Sequence, residues 1–99
     1  MSVRIFKLIG GEEIISAVTA ATDEGFELDN PATIMLQQTE KGVGVSVAPY
    51  LPYAEGSIFL YSSAIAATAI ADTNMMNEYN RIFGSGIQIA SAGSIQNIK

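Results

Sequence analysis

The sequence has 99 residues, a formal net charge of −5, and neither cysteine nor histidine. This length predicts one domain over residues 1–99. Without thiols or imidazoles the chain cannot form disulfides or thiolate metal sites and lacks the commonest general base, so we expect no enzyme and no cofactor. Five lysines and arginines stand against ten acids. No basic run is available to neutralise phosphates, so we expect no DNA binding.

The first two strands are predicted on either side of a glycine turn. Residues 3–8 predict an edge strand, because Arg4 and Lys7 interrupt its apolar residues and charges discourage stray pairing. Residues 10–11 are both glycine and predict a tight turn. Over residues 13–21 both alternating sets of side chains are small or apolar, which predicts a strand covered on both faces. A helix is the competing interpretation, but the β-branched residues favour a strand.

The middle of the chain continues as strands separated by turns. Residues 23–25 predict a turn, after which alternation resumes at Phe26. Residues 29–31 end in a proline, which removes a ladder donor, so we expect a bulge or corner there. Residues 33–39 predict a further strand. Valines alternate with small residues over residues 43–48, which is typical of a half-buried strand.

A proline-rich segment interrupts the strands. Residues 49–53 contain two prolines with Tyr50 and Tyr53, which predicts a stiff loop that serves as a contact surface or covers the end of the core. Residues 57–61 alternate as a strand. Residues 64–71 fit either a strand or a helix, and we interpret them as a strand.

One short helix is predicted near the end of the chain. Apolar residues recur at helical spacing over about residues 73–83, with Asp72 or Thr73 as the N-cap and Gly84 as the stop. Beyond it, residues 87–99 have weak strand character and are expected to fray.

The candidate chemical motifs are weak. The glycine-rich residues 84–86 lack the third glycine of a dinucleotide loop and follow a helix, so they indicate a turn. The paired acids at 12–13 and 23–24 point apart on a strand and mark solvated turns, not a metal site. Among the aromatic residues, Phe26 lies beside a turn, which makes it a candidate for stacking on a base.

The balance of charged and apolar residues predicts association. Charged residues make up 15% of the chain, against a typical ~25%, and hydrophobic residues 48%. We therefore expect part of the apolar exterior to be covered by other copies or by a partner; the alternative is a monomer with a surface of small polar residues. The uncharged run of residues 56–71 falls short of the ~20 residues of a spanning helix, and the N-terminus lacks a signal-peptide core. We expect a cytoplasmic protein without membrane contact.

The region from residue 8 to residue 27 resembles the first motif of the Sm and Sm-like family, which runs Leu-x-x-Gly, four residues, Gly-x-Leu, three residues, Asp-x-x-Met-Asn. With one extra residue, the positions that match are Leu8, Gly11, Val18, Asp23 and Phe26. Ser16 stands at the second glycine, and Glu27 stands at the base-contacting asparagine. With residues 49–54 and 77–86 included, the chain is similar to small Sm-like proteins of marine cyanophages.

This resemblance implies a mainly β fold: a strongly bent, five-stranded open barrel whose edge strands pair between copies in a homo-oligomeric ring. It also implies single-stranded RNA as a partner, with a site made by Asp23, Gly25, Phe26 and Glu27, in which Phe26 stacks and backbone groups contact phosphate. A phage-encoded chain would act in the cytoplasm of the host cell. The alternative function is an assembly adaptor that binds a protein partner through Tyr50 and Tyr53.

Overall fold

The computed structural model describes residues 2–83, which form one antiparallel sheet and one short helix. The strands are β1 (Ser2–Leu8), β2 (Glu13–Thr22), β3 (Gly25–Thr39), β4 (Gly42–Pro49), β5 (Ile58–Tyr61) and β6 (Ile65–Ile70), and the helix α1 is Thr73–Phe83. A 3-10 turn, Ser62–Ala64, joins β5 to β6. The prediction of a mainly β fold with one helix is confirmed.

The sheet follows the order β4-β3-β2-β1-β6, and β5 pairs with β3 beside β4. The 15 residues of β3 make this possible, because residues 25–28 pair with β5 and residues 32–39 pair with β4. The sheet is not closed on itself. It has six strands where the resemblance implied five; the loop of residues 50–57 separates β4 from β5, as the sequence pattern predicted.

The prediction that β1 is an edge strand is wrong. β1 lies between β2 and β6 and pairs antiparallel with both. Its two cations are accommodated because each reaches a neighbouring strand: Arg4 Nε donates to Thr68 Oγ1 at 3.3 Å, and Lys7 Nζ pairs with Glu13 Oε2 at 3.3 Å. The charges that suggested an exposed edge are therefore cross-strand contacts on an interior strand.

The turn between β1 and β2 forms as predicted. Gly11 has a φ of 102°, a conformation that favours glycine, and its N–H donates to the Leu8 carbonyl at 2.9 Å. In β2 the side chains of residues 14–18 are buried on both faces of the sheet, but residues 19–22 are exposed. The prediction of a strand covered on both faces is therefore confirmed for its first half only.

Each face of the sheet carries a hydrophobic core. The first core consists of Phe6, Leu8, Ile14, Val18, Leu28 and Leu60. The second core, on the opposite face, consists of Ile15, Ala17, Ala32, Val47, Ala71 and Tyr79. Met75, Ile82 and Phe83 of α1 pack against the second core, so the helix covers this face at the centre of the sheet.

The predicted bulge or corner lies where β3 faces the middle of β2. The register there gives β3 one extra residue, because residues 15–17 of β2 face residues 29–32 of β3. Asn30 at this point has a φ of 55°, a left-handed conformation that asparagine tolerates better than most residues. The chain continues as one strand through the irregularity.

The helix is attached to this bulge by Tyr79. Its hydroxyl accepts a hydrogen bond from Ala17 N at 3.1 Å and lies 2.9 Å from the Asp29 carbonyl and 2.8 Å from the Asn30 carbonyl, either of which can accept its proton. Burial of the phenol raises the pKa of Tyr79, against the lowering effect of the Ala17 N–H. The Tyr79 side chain thus provides hydrogen-bond partners for backbone groups that the extra residue in β3 takes out of the β2–β3 hydrogen-bond ladder.

The start of α1 agrees with the sequence. Asp72 is the N-cap, because its Oδ1 accepts a hydrogen bond from Met75 N at 2.8 Å. The strand interpretation of residues 64–71 is also confirmed by β6. The predicted stop at Gly84, the glycine-rich residues 84–86 and the predicted strand character of residues 87–99 lie outside the described residues. No helix of the described chain is long and apolar enough to cross a membrane.

Candidate functional site

The predicted RNA site begins at the turn between β2 and β3. Thr22 Oγ1 accepts a hydrogen bond from Glu24 N at 3.1 Å, which fixes the turn that carries Asp23 and Glu24. The Glu24 carbonyl in turn accepts a hydrogen bond from Ser62 N at 2.8 Å. Both acidic side chains are exposed, so this end of the sheet presents negative charge to solvent.

Gly25 has a packing role. A Cβ atom at this position would overlap the Leu60 carbonyl oxygen and would lie 2.9 Å from Tyr61 Cα. The absence of a side chain therefore allows β3 and β5 to approach each other here. Gly25 belongs to the RNA site that the resemblance implies, but its close approach to Leu60 and Tyr61 explains the need for glycine without a ligand.

Phe26 points into the first core. Its ring packs edge-on against Phe6, with centroids 5.1 Å apart, and Arg4 Cζ lies 6.0 Å from its centroid on the same face. The ring is partly buried, and Phe6 and Arg4 already pack against it. Base stacking on Phe26 therefore stays a prediction that the observed packing does not favour.

Glu27 lies on the opposite face of β3 from Phe26, because successive side chains of a strand alternate. Its two carboxylate oxygens each accept one hydroxyl, from Thr19 Oγ1 and from Ser57 Oγ, both at 3.0 Å. The four predicted residues are thus adjacent in sequence but do not form one surface.

Two aromatic residues of β5 share the face of Glu27. Phe59 is the cross-strand partner of Glu27, and Tyr61 is the partner of Gly25. The two rings pack edge-to-face with centroids 5.0 Å apart, and they remain 36% and 60% exposed. We call Glu27, Phe59 and Tyr61 the aromatic–acid face.

A groove of about 230 Å³ lies between the loop of residues 50–57 and the bulge in β3. Tyr50 lines it and packs against the first core, and its N–H donates to the Pro31 carbonyl at 2.8 Å. Among residues 2–83, the non-glycine residues with positive φ are Asn30 and Leu51, at 55° and 52°, and both line this groove. Such strained positions concentrate at functional sites.

The two tyrosines of the predicted partner site are not equivalent. Tyr50 is half-buried in the groove wall, whereas Tyr53 is 83% exposed. The structure therefore offers Tyr53 for contact and gives Tyr50 a packing role beside the groove. Their joint action on a protein partner stays a prediction.

No protein-family model matches the chain, and a search of the curated proteins found no match.

The residues that sequence reasoning missed are Phe59 and Tyr61. The alternation of residues 57–61 already placed both rings on one face, opposite the buried Leu60. What the sequence could not provide was the pairing of β5 with β3, which brings these rings beside Glu27.

Within the described residues, no group of three or more acidic side chains is placed to hold a metal ion. The salt bridges among residues 2–83 join Lys7 to Glu13 and Arg81 to Glu78. The second of these pairs lowers the pKa of Glu78, chiefly through the hydrogen bond from Arg81. Neither pair involves Glu27, so its carboxylate is held in the described chain by hydroxyls and not by a cation.

Proposed function

We propose that the protein is a non-enzymatic, ring-forming Sm-like protein whose copies join through the two ends of the sheet. The observation that carries this proposal is the state of those ends. Within residues 2–83, β4 and β6 stand at the two ends of the strand order and each pair with a single strand, as does β5 beside β4, so each has an outer edge of unpaired backbone groups. Such edges are templates for pairing with another chain.

The charged residues that normally prevent such pairing are absent from both edges. Gly42–Pro49 and Ile65–Ile70 contain no charged residue, and proline occurs only at the last position of β4. The cations of this part of the sheet, Arg4 and Lys7, lie on the interior strand β1. The charges are thus absent from the strands where they would block association.

The apolar side chains near the ends support the same proposal. Val43 and Leu36 on the β3–β4 hairpin are 64% and 69% exposed, and Ile70 at the end of β6 is 68% exposed. Burial of such side chains against another copy would contribute about 25 cal/mol per Å² of apolar surface. The two ends differ in sequence, so the contact joins the β4 edge of one copy to the β6 edge of the next. A contact of this head-to-tail kind closes into a ring when the rotation permits.

Two lysine substitutions test this arrangement. Val45→Lys places a charge on β4, and Ala69→Lys places one on β6. Ala21→Lys, on an exposed part of the interior strand β2, is the matched control. We expect each edge variant alone to sediment as a monomer and the control to assemble like the unmodified protein.

Mixing the two edge variants gives the sharper result. Val45→Lys retains an intact β6 edge, and Ala69→Lys retains an intact β4 edge. One copy of each can therefore pair, and the mixture should form a species of twice the monomer mass. If Val45→Lys alone formed a dimer, the pairing would join two β6 edges, and the head-to-tail arrangement would be wrong. If both variants assembled fully, the edges would not be the interface.

An adaptor that binds a protein partner through the proline-rich loop of residues 49–53 is the second candidate, favoured by the exposed ring of Tyr53 and the left-handed backbone of Leu51 in that loop. Tyr50→Ala and Tyr53→Ala should then each weaken capture of that partner and leave the sedimentation of the protein unchanged. Capture that is unaffected by both changes would remove this candidate.

RNA binding at residues 23–27 is tested by fluorescence anisotropy with short oligonucleotides at low salt, where even weak phosphate contacts are measurable.

A further inference from the structure

We propose that the aromatic–acid face binds an arginine side chain in a basic segment of a protein partner. This inference goes beyond ring formation, because it concerns a face of the sheet and not its edges. It starts from the register of β3 and β5, which places Phe59 directly opposite Glu27 and Tyr61 two pairs further along, on the same face. An acidic group and two exposed rings therefore lie side by side.

The carboxylate of Glu27 is held in position before any partner binds. Thr19 on β2 and Ser57 before β5 each donate a hydroxyl to a different oxygen, both at 3.0 Å. An ionised carboxylate offers about four acceptor positions, so two such bonds leave capacity for a charged donor. Because neighbours on both sides fix the side chain, little rotamer freedom is left to lose on binding.

The chemistry of this face matches a guanidinium group. Arginine forms strong hydrogen bonds to carboxylates and stacks on aromatic rings, and a lysine ammonium does the second less well. A basic partner is also favoured by long-range attraction, because the chain carries a net charge of −5 and the neighbouring turn exposes Asp23 and Glu24.

The same charges disfavour nucleic acid on this face. A phosphate backbone would meet Glu27 and the two acids of the turn. Of the two cations of β1, Arg4 lies beside the ring of Phe26, which faces the opposite side of the sheet from Glu27, and Lys7 is paired with Glu13. We therefore assign the exposed rings to a cationic protein segment.

The test measures binding of a short fluorescein-labelled peptide of alternating glycine and arginine by fluorescence anisotropy. Glu27→Gln removes the charge and keeps an amide that can bond both hydroxyls. We expect it to weaken binding about tenfold, and Tyr61→Ala to weaken it about threefold. Glu12→Gln, an exposed acid in the turn after β1, removes the same charge elsewhere and should change affinity less than about twofold. Circular dichroism checks that each variant is folded.

Three results would overturn the proposal. An equal loss with Glu27→Gln and Glu12→Gln would mean that only net charge attracts the peptide. Equal affinity for a glycine–lysine peptide would remove the preference for a guanidinium group. Tighter binding of a labelled oligouridylate, lost with Tyr61→Ala, would make the face a nucleic-acid site.

Amide chemical shifts locate the bound peptide independently of the variants. We expect the largest changes at Thr19, Glu27, Ser57 and Tyr61. Changes confined to the groove beside Tyr50 would contradict the assignment. Because sedimentation of the peptide-free protein reports ring formation separately, failure of one proposal is distinguishable from failure of the other.

Discussion

The first half of β2 and the tip of the β3–β4 hairpin are both apolar in sequence, yet the chain covers only one of them. Ile14 and Ile15 of β2 are fully buried, one in each core. Leu36 and Val43 near the hairpin tip lie largely in solvent. These exposed side chains continue from Val47 in the second core, which α1 covers, but the hairpin tip lies beyond that core.

Alternation in the sequence identifies apolar surface that must be buried, but it does not identify the part of the molecule that buries it. For β2 the cover comes from the neighbouring strands, the first core and the helix. For the hairpin, nothing in the described residues supplies it, which is the physical reason for assigning the hairpin and its edge to contacts between copies.

The largest expected effect comes from deleting buried atoms in β2. Ile14→Ala should lower the free energy of unfolding by about 2–5 kcal/mol, because it leaves a cavity in the first core. Val43→Ala should change it by less than about 0.5 kcal/mol when both are measured by urea unfolding in the non-assembling Ala69→Lys background. Comparable losses at the two sites would break the contrast between covered and uncovered strands.

The attachment of α1 to the bulge gives the next effect. Tyr79→Phe should lower the free energy of unfolding by about 1–3 kcal/mol, because the change leaves the buried Ala17 N–H without its acceptor. Tyr53→Phe removes a hydroxyl from an exposed ring and should have no measurable effect. Equal stability of the two variants in urea unfolding would mean that the hydroxyl does not hold the helix over the second core.

A smaller effect is expected at the start of the helix. Asp72→Ala should lower the free energy of unfolding by about 1 kcal/mol, because it removes the bond to Met75 N. Asp72→Asn retains an acceptor and should cost only a fraction of that. If thermal unfolding ranked the two variants in the opposite order, charge and not capping would explain the contribution of this residue.

The smallest effect is confined to alkaline pH. The pKa of Tyr79 is raised in the folded protein, so the unfolded chain loses this proton first. The unfolding free energy should therefore decrease as the pH rises above about 10 and towards the folded pKa. Tyr79→Phe should lack this component of the decrease and Tyr53→Phe should retain it, as measured by urea unfolding across that range. Identical pH profiles would contradict the assignment to Tyr79.

Local features were predictable from the sequence because they depend on a few neighbouring residues. The turn at Gly11, the irregularity before Pro31 and the cap at Asp72 each follow from backbone preferences or side-chain reach. Residues 64–71 fitted either a strand or a helix in sequence, and the strand interpretation is confirmed as β6.

The errors concern contacts between distant parts of the chain. β1 was placed at an edge because its pairing with β6, more than 50 residues later, cannot be seen in a local pattern. The surroundings of the candidate site could not be predicted for the same reason. Phe26 is beside a turn in sequence, but Phe6 and Arg4 of β1 surround it in the fold, and the exposed rings near Glu27 come from β5.

Ring formation requires that copies of the chain cover each other's outer edges. Sedimentation velocity of the unmodified protein at micromolar concentration measures this association. We expect a single species at a multiple of the 10.5 kDa chain mass that does not dissociate on moderate dilution. A single species of 10.5 kDa across the concentration range would contradict it.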